Sequence, residues 1–372
     1  MKKTLFSGYY GHHNLGDDAF GLIAIWGAKR FWKQDLIRLF SSRGPKSKEI
    51  KVEYALSRKG RFRAVSLLLS YLEIVKSNYF VFAGGSIFHS KPRRLSHVRF
   101  VFLLARFGLL KVGAIGVSLG PFRTEDDYNY IALKLKHLSF LTLRDKKSFN
   151  IALGMNLPYP PVLAADLAFS LPAFYVNTKK TSSQDIVGIS LCHYERYCGD
   201  NIKSEERRER KLFDTLKILK KNKGLFFKFF VINGSDDTGD RQLTIDVIDR
   251  LFLDSGQYEL IEYSSDTLSV FDEISSCSVF LSTRLHGAIF SAIADVPSLL
   301  VEYHKKCTDY LDDMGVEKKW RIGDIEEPPE DVALLLIRLI TVDSYSLYPN
   351  KKSLIDASLE NFSNKTVLAE MS

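Results

Sequence analysis

Short apolar runs recur along this chain, each closed by glycine or small polar residues and followed by a stretch of helical periodicity. Lys3 to Ser7, Leu36 to Phe40, Tyr79 to Ala83, Val112 to Val117 and Leu138 to Leu143 read as strands in the first half. Ile186 to Leu191, Phe226 to Ile232, Tyr258 to Glu262, Val279 to Leu281 and Ser298 to Tyr303 repeat the pattern in the second. Runs that stay apolar instead of alternating must be covered on both faces, and the helical segments between them supply that cover. Such alternation gives parallel sheets joined by crossover helices. With 372 residues the chain exceeds one compact core. The expected fold is therefore α/β, two Rossmann-like domains with parallel sheets facing a cleft. A polar stretch at 171–184, between a proline and a fresh strand, serves as the linker. The domains expected are 1–175 and 185–345, followed by a polar C-terminal tail, 346–372, whose helix is weakly docked.

The strand ends carry the chemistry. Val279 to Leu281 runs into Ser282-Thr283-Arg284-Leu285-His286-Gly287 and then into a helix. This sets a cation and an imidazole at the carboxyl end of a sheet, beside a helix N-terminus that favours anions. At this spacing alone, Arg284 reads equally as the cap of a surface turn and His286 as a satisfied half-buried residue. The first strand opens a glycine-rich turn, Gly8-Tyr-Tyr-Gly11-His12-His13-Asn14-Leu15-Gly16-Asp17-Asp18, ahead of a helix from Ala19 to Arg30. It lacks the Lys-Ser/Thr of a phosphate-binding loop, and its glycines do not fit the dinucleotide fingerprint. Asp17 or Asp18 could also simply cap the helix. Gly84, Gly85 and Ser86 follow the third strand, where paired glycines let a ligand approach the backbone. Arg144 ends the fifth run, with an ion pair to Asp145 as its plain alternative.

Composition bounds the setting. Cys192, Cys198, Cys277 and Cys307 show neither a disulfide framework nor metal-ligand spacing, and no metal site is evident. No window reaches the roughly 18 apolar residues that a spanning helix needs. Together these point to a cytoplasmic enzyme. The net charge of +8 concentrates at 41–63, including Arg58, Lys59 and Arg61, and at 91–111, including Arg93, Arg94, Arg99 and Arg106. The first reads as a solvated rim. In the second, basic residues interleave with apolar ones, a pattern suited to peripheral contact with the inner face of a membrane. No nucleic-acid-binding module is recognisable.

In order, the motifs Gly8 to Asp18, Ala83-Gly84-Gly85-Ser86, Leu143-Arg144-Asp145-Lys-Lys-Ser148 and Ser282 to Gly287 resemble those of the polysaccharide pyruvyl transferases, with Asp295-Val-Pro297 and Tyr303-His-Lys305 in further agreement. Family members often carry Asp-Glu where this chain has Asp17-Asp18. The resemblance implies a GT-B-like fold and transfer of pyruvate from phosphoenolpyruvate to a sugar hydroxyl pair as a ketal, in exopolysaccharide, capsule or cell-wall synthesis. It implies phosphoenolpyruvate as co-substrate without a cofactor, and a sugar or lipid-linked oligosaccharide as acceptor. Arg284 and His286 correspond to the phosphoenolpyruvate site, and Arg144 to the arginine of the Arg-Asp-x-x-Ser motif. On this basis His286, Arg284 and Asp17 are the catalytic candidates. Arg144, Gly11, Asn14, Gly16, Asp18, Gly84, Gly85, Ser86, Thr283, Gly287 and Lys305 are the substrate-binding ones. A GT-B glycosyltransferase using a nucleotide sugar, and a non-catalytic glycan- or membrane-binding scaffold, are the rival readings.

Overall fold

The computed structural model describes residues 2–56, 63–93, 96–177, 184–323 and 327–371. Arg58, Lys59, Arg61 and Arg94, and most of the expected linker (178–183), lie outside the described residues. Two six-stranded sheets form, and every strand pair in them is parallel, as the alternation of apolar runs and helices requires. The chain divides into unit 1, Met1–His12 with Gly16–Phe174 and Ser353–Ser372, and unit 2, His13–Leu15 with Tyr175–Lys352.

Unit 1 contains β1 (Lys3–Ser7), β2 (Leu36–Leu39), β3 (Tyr79–Ala83), β4 (Lys111–Val117), β5 (Phe140–Leu143) and β6 (Val162–Leu163), in the order β2-β1-β3-β4-β5-β6. Both β1 and β3 are buried at every position, and β3 is accordingly apolar throughout. Around Phe82 the rings of Phe88 and Phe102 pack at centroid distances of 5.3 and 5.9 Å. Unit 2 contains β7 (Asp185–Ser190), β8 (Leu225–Phe230), β9 (Tyr258–Ile261), β10 (Val279–Ser282), β11 (Ser298–Glu302) and β12 (Ile322–Gly323). Their order is β12-β11-β10-β7-β8-β9. Counted from its own first strand this is the 3-2-1-4-5-6 Rossmann arrangement, whereas unit 1 has the 2-1-3-4-5 flavodoxin-like arrangement plus one strand.

One local expectation shifts. The first helix begins at Leu15, not Ala19, and after Gly27 it continues as a π-helical turn, Ala28–Trp32. A helix, Lys305–Met314, begins three residues after β11 leaves the sheet at Glu302. Helix Glu125–Leu135 lies between the fourth and fifth strands, capped by the Thr124 hydroxyl, which accepts the Asp127 N–H at 3.1 Å.

The largest correction is at the C-terminus, where 346–372 is not a loose tail. From Ser353 onward the chain belongs to unit 1. Helices Lys351–Ser363 and Lys365–Met371 bury Phe362, Val367 and Met371 completely. The Trp32 indole donates to the Phe362 carbonyl at 3.0 Å, and the Asn361 amide donates to the Ala165 carbonyl at 3.0 Å. Burying one such apolar side chain contributes about 1.5–3 kcal/mol, which outweighs the polar average of these helices.

Candidate functional site

In an open parallel sheet, ligands bind beyond the carboxyl ends of the strands where the strand order reverses. In unit 1 that point lies between β1 and β3, and in unit 2 between β7 and β10. The loop after β1 holds Gly11, Gly16, Asp17 and Asp18, and the loop after β3 holds Gly84, Gly85 and Ser86. The loop after β10 holds Thr283, Arg284 and His286. Most of the residues singled out from sequence therefore lie at the two reversal points, each within its own unit; Arg144, after β5, and Lys305, after β11, do not.

In unit 1 the loop is held from inside. Asp18 is fully buried, and its Oδ1 accepts the Gly11 N–H at 2.8 Å, so this carboxylate braces the turn. Asp17, next to it, is only half-buried. Gly84 and Gly85 both take φ near +75°, in the left-handed region that favours glycine. A Cβ on Gly84 would come 2.2 Å from the Phe20 ring, and one on Gly85 would come 3.6 Å from Asp17 Oδ1. The carboxylate of Asp17 thus lies along bare backbone. The buried Tyr10 hydroxyl donates to the Ala83 carbonyl at 3.0 Å, and its pKa is pushed well above normal by burial and then by Asp17 and Asp18. Of the two adjacent histidines, His12 is exposed and stacks on Tyr9 with centroids 4.0 Å apart.

Arg144 follows β5, two strands beyond β3. It does not pair with Asp145. Its Nη1 donates to Asp166 at 2.8 Å and its Nε to the Ser118 hydroxyl at 2.7 Å. Asp145 instead caps helix Lys146–Leu153, accepting the Ser148 N–H at 2.7 Å, and it accepts the Ser118 hydroxyl at 2.7 Å. Among the described residues, two of the five guanidinium donors are used in this way.

Unit 2 repeats the device. Arg284 stands at the N-cap position of helix Leu285–Ile293. Its Nε lies 3.1 and 3.0 Å from the two oxygens of Asp240, and its Nη2 also donates to that carboxylate. Asp240 comes from the loop after β8 and is fully buried. Burial pushes its carboxyl pKa up, while the Arg284 guanidinium pulls it back. His286 is the second residue of that helix, half-buried, with its ring 6.2 Å from Phe290. Thr283 is buried and its N–H and hydroxyl both donate to the Ser190 carbonyl, at 2.9 and 3.2 Å, so it ties β10 to β7. A Cβ on Gly287 would come 2.5 Å from the Ser282 hydroxyl and 2.8 Å from that of Ser190. This glycine is therefore needed for close helix–strand packing. Asn14 belongs with unit 2, where it bridges Asn233 and the neighbouring His13 Nδ1 lies 3.3 Å from the Gly234 carbonyl. Lys305 is exposed on the first turn of its helix and pairs at 3.6 Å with Asp309, so it is not held at the Arg284 turn.

A sequence profile of the polysaccharide pyruvyl transferases matches residues 14–305, from within the loop after β1 to the start of helix Lys305–Met314. The chain belongs to the polysaccharide pyruvyl transferase family. No curated protein sequence matches it. Among solved structures, MnaA of S. aureus with UDP is similar at a TM-score of 0.60 and 11% identity, covering 99% of this chain and 94% of that one. A putative UDP-N-acetylglucosamine 2-epimerase from Listeria monocytogenes gives 0.58 at 9% identity, with coverage of 99% and 94%. HepE from Anabaena in complex with UDP-glucose gives 0.56 at 11% identity, with coverage of 100% and 98%. At these identities the likeness establishes the two-unit GT-B-like fold.

For this pyruvyl transferase family member, sequence reasoning missed Asp240, Asp166 and Ser118, the groups that hold the two arginines. The one available signal was position, since Asp240 and Ser118 follow strands at the ends that carry the arginines. Cys192, near the Arg284 turn, is a buried thiol whose pKa is pushed up by burial and which lies 3.6 Å from the Thr283 carbonyl. Among the described residues, one group has metal-ligand spacing, His193, Glu205 and Glu209. There Glu205 already accepts the Arg196 guanidinium at 2.5 Å and the Tyr194 N–H at 2.7 Å. The arrangement is that of an ion-pair network.

Proposed function

We propose that this family member transfers the pyruvyl group of phosphoenolpyruvate to two hydroxyls of a sugar, in a polysaccharide or its lipid-linked precursor, and leaves a cyclic ketal. Family membership supports pyruvyl transfer to polysaccharide as the coarse activity. The observation that carries the finer reading is the Arg284–His286 turn, which combines an oriented guanidinium, a helix N-terminus and an imidazole at the reversal point of unit 2. Phosphoenolpyruvate presents a carboxylate and a phosphate, and guanidinium groups bind both in bidentate fashion.

The reaction balances with these groups alone. C3 of phosphoenolpyruvate takes a proton while the first sugar hydroxyl adds to C2 and gives its own proton up. The second hydroxyl then displaces phosphate from C2, closing the ketal, and loses its proton. Each step needs an acid or base that works near neutral pH, and in this reading His286 supplies it. Arg284, held on one edge by Asp240, offers its remaining donors to the anion and offsets charge on the leaving phosphate. Asp17, half-buried beside the bare backbone of Gly85, is the group of unit 1 suited to sugar hydroxyls. Arg144 gives unit 1 a second braced cation.

The rival, glycosyl transfer from a nucleotide sugar, draws on the neighbours solved with UDP and UDP-glucose. Calorimetry with phosphoenolpyruvate and with UDP-glucose separates the two. Binding of phosphoenolpyruvate, phosphate release with a sugar acceptor, and at least a ~100-fold loss of turnover in His286→Ala are expected. Binding of UDP-glucose alone would transfer the assignment to the rival. Full turnover in His286→Ala would remove the histidine from the chemistry.

A further inference from the structure

Helix Arg63–Val75 has apolar residues on two faces. Its inner face sets the fully buried Ile74 against the core and packs Tyr71 on Phe100 of helix His97–Arg106, with centroids 4.5 Å apart. Its outer face carries Val65, Leu68, Leu69, Leu72 and Val75, at the i, i+3, i+4, i+7 and i+10 spacing of one helical stripe. The patch continues onto the next helix and its exit turn through Leu103, Phe107 and Leu109. These eight side chains are between 43% and 68% exposed. The two parts adjoin, because the Asn78 carbonyl, three residues past Val75, accepts the Lys111 N–H at 3.2 Å. A contiguous apolar surface of this kind marks an interaction site.

The cations beside it are Arg99, Arg106 and Lys134, while the nearby acids Asp126 and Glu370 pair with Lys91 and Lys111. On the second helix Arg99 lies 5.5 Å from the centre of the Tyr130 ring, and Lys134 lies 5.4 Å from the same ring. Arg106 is close enough to Lys134 to help lower its pKa, after burial. Among the described residues, no carboxylate forms a salt bridge with Arg99, Arg106 or Lys134. Glu73, the one acid of helix Arg63–Val75, is taken up by Lys3 and Arg38. No helix among the described residues is long and apolar enough to cross a membrane.

We propose that the outer stripe of helix Arg63–Val75, with Leu103, Phe107 and Leu109 and the flanking cations Arg99, Arg106 and Lys134, is a docking surface for an anionic lipid bilayer. The exposed leucines enter the headgroup–acyl boundary and the cations meet lipid phosphates. Sequence pointed to 91–111 alone; the structure assigns most of the apolar contact to the helix before it. This inference is independent of the pyruvyl-transfer reading.

The test is co-sedimentation of the full chain with vesicles of phosphatidylcholine alone and of phosphatidylcholine with one-third phosphatidylglycerol. Binding to the anionic vesicles is expected, and it should weaken between about 0.1 and about 1 M salt as the Debye length falls from ~10 to ~3 Å. Each cation near such a surface contributes about fivefold, so Arg99→Gln with Arg106→Gln should lower partitioning about 30-fold. Leu68→Gln with Leu72→Gln should lower it at least tenfold with the thermal transition unchanged, since both side chains face solvent. No binding of the parent chain, or binding by both pairs of variants equal to the parent's, overturns the proposal. So does a dimer in light scattering that only the leucine variants dissociate, which would make a second copy the occupant.

Discussion

The Asp240–Arg284 pair invites the sharpest perturbation. Asp240→Asn keeps the shape and an oxygen for the Asn233 N–H, which Asp240 accepts at 2.9 Å, but removes the charge that Arg284 faces. Removing one partner of a buried pair costs about 3–5 kcal/mol, because the other charge stays behind uncompensated. Arg284 keeps 23% of its side chain exposed, so water relieves part of that cost and the lower end, about 3 kcal/mol, applies. For a unit of this size that is a fall of roughly 6–12 °C in transition temperature. Scanning calorimetry on the full chain reads it, with hydrogen exchange in β7, β8 and β10 assigning the shifted transition to unit 2. Asp236→Asn, exposed in the same loop, is the control and should stay within about 0.5 kcal/mol of the parent. A double variant, Asp240→Asn with Arg284→Gln, should lose less than the sum of the single changes, since the double change leaves no lone buried charge. If Asp240→Asn melts with the control, the carboxylate does not brace Arg284 and the preorganised-cation argument fails. If it melts early and binds phosphoenolpyruvate as well as the parent does, the brace is structural only.

Two further outcomes follow from the packing of unit 1. His97 lies 5.0 Å from Phe40, and burial lowers its pKa below the usual 6.5. The unfolded chain therefore takes up a proton at a pH where the folded ring does not, so stability is full above about pH 6.5 and lost as the pH falls below it. His97→Phe should flatten that part of a pH series of denaturant midpoints, and an unchanged slope would locate the effect elsewhere. Phe362→Ala should cost unit 1 about 3–5 kcal/mol in equilibrium unfolding, whereas a loosely attached C-terminal helix would leave the midpoint in place.

The strands and turns were legible because their signals are local. A run such as Tyr79-Phe-Val-Phe-Ala83 followed by two glycines can hardly be anything but a buried strand entering a backbone-exposed turn, and β3 has those bounds. The Arg284–His286 turn was legible for the same reason, being a strand, a cation and a helix start in one stretch. The C-terminal helix was misread because its buried face is partly polar. Ser358 and Asn361 are fully buried, satisfied by Ser170 at 2.9 Å and by the Ala165 carbonyl at 3.0 Å, and composition cannot distinguish such residues from solvated ones.

Sequence by itself therefore determined the α/β class, the strand ends that carry the chemistry and the family, since each is written in contiguous residues. Tertiary structure decided the two strand orders, and with them which loops share a reversal point. It also decided the role of each polar side chain in those loops: Asp18 braces a turn, Thr283 ties two strands, Gly287 makes room, and Arg144 and Arg284 are held by carboxylates 22 and 44 residues away. Those pairings depend on chain segments that meet only when the sheets assemble, and no periodicity along the sequence records them.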